Sequence, residues 1–134
     1  MSARGQRPPG LLAFTNAAER ALASLPAGLR DQLEGLALRV DDWPDGDTLQ
    51  EMEIDSPYEL LGLYRGVSLM DRGAGISAED VDMIFLYRMP ILDAWIHGED
   101  TLEALIHHVV IHEIGHHFGL SDADMESIEA SVDA

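Results

Sequence analysis

Apolar residues at Phe14, Ala17, Ala18, Ala21, Leu22 and Leu25 recur in steps of three and four, which predicts an amphipathic helix over 14–25 lying on a core. Pro26 breaks it. Leu29, Leu33 and Leu36 carry helical spacing for another turn or two, and near Gly35 the period changes. Leu36, Leu38 and Val40 then alternate with Ala37, Arg39 and Asp41, as in a half-buried strand. Asp41 to Glu53 is acidic, holds Pro44 and Gly46, and reads as a solvated loop. Leu60 to Tyr64, between Pro57 and Gly66, predicts a short buried strand, and Asp71 to Ser77 a turn. Val81 to Met89 is the strongest strand pattern. Both of its alternating sets are apolar, so both faces should be covered, at least one of them by a helix, and Pro90 should stop it. Thr101 to Phe118 predicts the longest helix, with Asp100 as cap, Glu103 closing a capping box and Gly119 as the stop. Asp122 to Val132 predicts a last helix with Met125, Ile128 and Val132 on one side. Helices, then strands, then helices give an α+β class with a small sheet, forming one domain over 14–134 behind a flexible tail at 1–13.

The chemistry concentrates on the long helix. Five of the six His fall between positions 107 and 117. His112 and His116 stand four residues apart, a step of about 6 Å and roughly 40° past one full turn, so both imidazoles share a face. That spacing lets two ring nitrogens converge on one metal ion. Glu113, about 100° round the helix from His112, is poorly placed as a third ligand but can reach a metal-bound water, the position of a general base. Gly119 permits a sharp turn, and Asp122 follows His116 by six residues, enough to fold a carboxylate back over the metal face. His112, His116 and Asp122 with one open position make a catalytic rather than a closed structural zinc set. The plainer reading, helix histidines satisfied locally with Glu113 in solvent, loses ground once Asp122 is counted. For the other candidates the plain reading leads. His108, one turn before His112, is expected outside the ligand set; His97 is expected at the surface; Met125 is expected in ordinary core rather than beneath the metal; Glu126 is a reserve ligand.

Composition narrows the partners. The 134 residues carry 25 Asp+Glu against 8 Lys+Arg, a formal net charge of −17, which would repel phosphate backbones and anionic lipid. No nucleic acid and no membrane partner is expected. There is no Cys, so a metal must be held by His and carboxylates. No apolar run is long enough to span a bilayer and no signal segment is visible, which predicts a cytoplasmic protein.

The string HEIGHHFGLSD, His112 to Asp122, is similar to the H-E-x-x-H-x-x-G-x-x-D form of the metzincin-type signature. It most resembles the small bacterial zincin-like metallopeptidases, the minimal zincins, as do LASLPAGLRDQL (Leu22 to Leu33) and LLGLYRG (Leu60 to Gly66). The resemblance implies a small sheet over an H-E-x-x-H helix, Zn2+ on His112, His116 and Asp122, and Glu113 as catalyst. It further implies hydrolysis of a peptide or protein substrate by a metal-bound water, with a substrate strand pairing along Val81 to Tyr87 as a sheet edge. Basic substrates would be favoured by the charge. Tyr64, Tyr87 and His117 are equal candidates to stabilise an oxyanion. Only 15 residues follow Gly119, so no large substrate wall is expected. The alternative is a non-catalytic acidic interaction protein in which the metal braces the last helix.

Overall fold

The computed structural model describes residues 9–31, 33, 35–66, 82–118 and 121–133, the side chains of 117, 122, 129 and 131–133 excepted. In chain order the elements are α1 (Leu11–Ala23), α2 (Ala27–Asp31), β1 (Ala37–Asp41), α3 (Gly46–Glu51), a 3-10 turn (Pro57–Glu59), β2 (Gly62–Arg65), β3 (Met83–Tyr87), α4 (Arg88–His97), α5 (Leu102–Phe118) and α6 (Asp122–Asp133). This is the expected α+β arrangement.

Three strands form one mixed sheet in the order β1-β3-β2, with β3 parallel to β1 and antiparallel to β2. The strand expected as the sheet edge, Val81 to Tyr87, is therefore the central strand within its described part. Its Ile84 and Leu86 are fully buried in the main core beside α1 and α5. Phe85 and Tyr87 point to the other face, where they join Leu60 and Leu63, with Leu49 and Ile54 packed alongside. Both faces are thus covered, one by long helices and the other by α3 and the 3-10 turn.

The core explains the centre of α5. Ile106, Val109, Val110, Ile111 and Ile114 are all buried, so this helix is apolar around most of its circumference, as a helix surrounded by other elements must be. On α1 the residues turned to it are Phe14 and three alanines, Ala17, Ala18 and Ala21, whose small side chains let the two helices approach closely. Arg20 of α1 reinforces the contact through Glu103 (Nε to Oε1, 2.6 Å), and this charge-assisted hydrogen bond holds the Glu103 carboxyl below its usual range.

Four boundaries differ from the sequence expectation. Helix α1 begins at Leu11, three residues before Phe14, and the preceding Pro9 carbonyl accepts a hydrogen bond from Arg88 (3.1 Å), so the expected tail does not reach residue 13. The acidic stretch Asp41 to Glu53 is not all loop: Asp45 caps α3 by accepting from the Thr48 amide (2.7 Å). Pro90 does not end a strand but sits in the first turn of α4, where its missing N–H has no intrahelical partner to lose. Thr101, not Asp100, caps α5, its hydroxyl accepting from the Ala104 amide (3.1 Å), while Glu103 is engaged by Arg20. The expected turn at 71–77 and the stop at Gly119 lie outside the described residues. No described helix is long and apolar enough to cross a membrane.

Candidate metal and catalytic centre

His112, Glu113 and His116 project from the last two turns of α5, with one ligand atom of each within 4.8 Å of the others. The two imidazoles lie with ring centroids 4.6 Å apart, as the four-residue spacing requires. Their exposure differs in a useful way. His116 is open to solvent and His112 half-buried, whereas Glu113 is only 6% exposed.

A buried carboxylate needs partners, and Glu113 has two. Its Oε1 accepts the backbone N–H of Tyr64 on β2 (2.9 Å) and lies 3.3 Å from His116 Nδ1. Oε2 makes no hydrogen bond among the described residues. The Tyr64 bond follows from the strand pairing. In an antiparallel ladder alternate residues turn their amides outward, and Leu61 uses its carbonyl on β3 (2.9 Å from the Tyr87 amide), so Gly62 and Tyr64 face away from β3. Helix α5 fills that side. Gly62 allows the approach: a Cβ there would lie 2.6 Å from Val109 Cγ1, 3.1 Å from the Phe85 carbonyl oxygen and 3.4 Å from Glu113 Cγ.

The ligand role expected for Asp122 falls on a side chain outside the described residues, although its backbone opens α6. That helix is set by a reciprocal capping box, Ser121 Oγ accepting from the Asp124 amide (3.1 Å) and Asp124 Oδ2 from the Ser121 amide (3.3 Å). It docks through Met125, buried against Gly115, where a Cβ would stand within 2.7 Å of Met125 Cγ. Met125 is thus core, as expected, and packs one residue before His116. Glu126 is exposed and outside the metal-capable group, as is His108, whose ring centroid lies 6.0 Å from that of His112. His97 is at the surface, donating Nδ1–H to the Asp93 carbonyl (2.8 Å).

Two of the three oxyanion candidates are placed elsewhere or occupied. Tyr87 belongs to the sheet face turned away from α5, and Tyr64 donates its hydroxyl to Asp82 Oδ1 (3.0 Å). The side chain of His117 lies outside the described residues. Sequence reasoning missed the Tyr64 amide and Gly62. A glycine in an otherwise apolar strand is the one local sign of a close approach.

A pair of imidazoles and a carboxylate on one helix face, beside the edge of a small mixed sheet, is the arrangement of a zincin-type hydrolase. The chain belongs to the zincin-like metallopeptidase family, whose sequence signature matches residues 33–132. No curated protein matches it. The donor set, nitrogen and carboxylate oxygen without thiolate, fits zinc, and His112 and His116 are the described residues that would hold it.

Proposed function

We propose that this chain is a zinc-dependent metallopeptidase in which His112, His116 and Asp122 hold the metal and Glu113 acts as general base and then general acid. The carrying observation is the pinning of Glu113 Oε1 by the Tyr64 amide, beside two convergent imidazoles. Zinc bound there would supply a Lewis acid for a peptide carbonyl and for water. The protein's own part is proton handling and orientation. With Oε1 fixed, the other oxygen, Oε2, would take a proton from the attacking water and return it to the leaving amine. Burial keeps bulk water off the carboxylate and fixes its rotamer, so little reorganisation accompanies the transfer.

Glu113→Gln tests this. The amide oxygen can still accept from Tyr64, so zinc content and melting temperature should match the parent while hydrolysis of a peptide library falls by about 10²- to 10⁴-fold. Equal turnover in the two proteins would refute the catalytic reading. It would leave the metal as a brace, a role suggested by the docking of α6 through Met125 one residue from His116.

A further inference from the structure

A second concavity, of about 490 Å³, opens on the sheet face turned away from α5, within the size range of small-molecule sites, roughly 300–1,000 Å³. Its floor is written by strand register: Arg39 lies beside Phe85 and Asp41 beside Tyr87 on parallel β1 and β3. Helix α3 supplies one wall through Asp47, Thr48 and Glu51. Trp43 stands at the mouth, 39% exposed and edge-on to Tyr58 at 5.1 Å between ring centroids.

The charges do not balance. Both guanidiniums of the lining are already paired, Arg39 Nε with the two oxygens of Asp41 (3.1 Å each) and Arg65 with Glu51 (2.5 Å). Asp45 is spent as the cap of α3. The Asp47 carboxylate has no cationic partner among the described residues, so the concavity carries surplus negative charge.

Tyr87 gives the independent sign of a ligand. It is 3% exposed, yet its hydroxyl makes no hydrogen bond among the described residues, while the residue lines this concavity. The fully enclosed side-chain atom without a hydrogen-bond partner among the described residues is His107 Nε2 and not Tyr87 Oη, so the phenol oxygen keeps access to solvent from the concavity and is free to bond a ligand there. Burial, with the nearby charges of Asp41 and Asp45, pushes its ionisation up to about 12, so it stays a neutral phenol whose oxygen can accept.

We propose that this concavity binds an organic cation, a guanidinium or primary ammonium group on an apolar stem. Tyr87 Oη accepts one of its N–H groups, the Asp47 carboxylate balances its charge and Trp43 covers its stem. Paired guanidiniums beside the site disfavour an anion's rival claim, because each is already held by a carboxylate. An aromatic wall next to surplus negative charge suits a cation for a reason an acidic surface alone does not supply, since the ring face attracts positive charge as well as apolar carbon. The site lies across the sheet from His112 and His116 and is independent of the metal.

Nuclear magnetic resonance titration of the whole protein in chelator tests it. N-acetyl-arginine methylamide should give saturable shifts of the Trp43 indole N–H and of resonances at Phe85 and Tyr87. Its neutral isostere, N-acetyl-citrulline methylamide, should give none. Tyr87→Phe and Asp47→Asn should each raise Kd about tenfold or more while the melting temperature stays within a few degrees. An arginine-containing heptapeptide separates the two sources of such a cation. Affinity beyond its count of arginines assigns the site to polypeptide segments, and affinity proportional to that count assigns it to free small cations. Equal binding of the citrulline compound, unsaturable shifts scattered over the acidic surface, or wild-type Kd in both variants would overturn the proposal.

Discussion

At Gly62 the chain has room for a hydrogen and nothing larger, because Val109 Cγ1 and the Phe85 carbonyl occupy the place of a side chain. A methyl there pushes β2 off α5, and overpacking of this kind costs about 1–3 kcal/mol. Gly62→Ala is therefore expected to lower the melting temperature and also to cut turnover below what the folded fraction explains, since the Tyr64 amide retreats from Glu113. Chemical denaturation alongside peptide hydrolysis checks both. Tyr87 makes a prediction of a different sort. Its phenol ionises near 10 when the chain is unfolded and near 12 when folded, so between those values the native state keeps a proton that the unfolded state loses. The stabilisation is complete below about pH 10 and is lost as pH rises toward 12, on the order of 2 kcal/mol in all. Melts of the wild type and of Tyr87→Phe, close to one another below pH 10, are expected to separate across that window, with the wild type falling below the variant because phenylalanine has no proton to lose.

Among elements, α6 depends on its first turn. Ser121→Ala removes one half of the capping box and is expected to destabilise by about 0.5–2 kcal/mol, read as a lower melting temperature and faster amide exchange around Met125. The elements also show why some of the fold could be read in advance. Helices α1 and α6 announce themselves by three- and four-residue periodicity and α5 as the longest helical stretch, and the His112–Glu113–His116 cluster is a property of one helix, so local spacing suffices for it. Helix α3 is six residues long and buries Thr48 alone, too little to leave a period in an acidic stretch. Helix α4 follows β3 with no intervening residue, and Pro90 in its first turn looks from sequence like a terminator. The central position of β3 rests on pairings with strands up to 46 residues away in the chain, as between Ala37 and Met83, which no local pattern encodes. The bond from Tyr64 to Glu113 spans 49 residues and is hidden for the same reason.

For the whole molecule, a metal that binds only the folded chain adds RT ln(1 + [metal]/Kd) to its stability, about 2.7 kcal/mol at a hundredfold excess over Kd. Zinc is accordingly expected to raise the melting temperature by several degrees, chelator to reverse the rise, and His112→Ala to abolish it. Calorimetry with and without zinc decides the matter. The hydrogen bond between the Tyr64 amide and Glu113 joins a four-residue strand to the seventeen-residue helix α5. Deuterium uptake at that single backbone position should therefore report the condition of the carboxylate. It should quicken sharply in Glu113→Ala and little in Glu113→Gln, so the seat of that carboxylate on α5 can be interrogated before any substrate is identified.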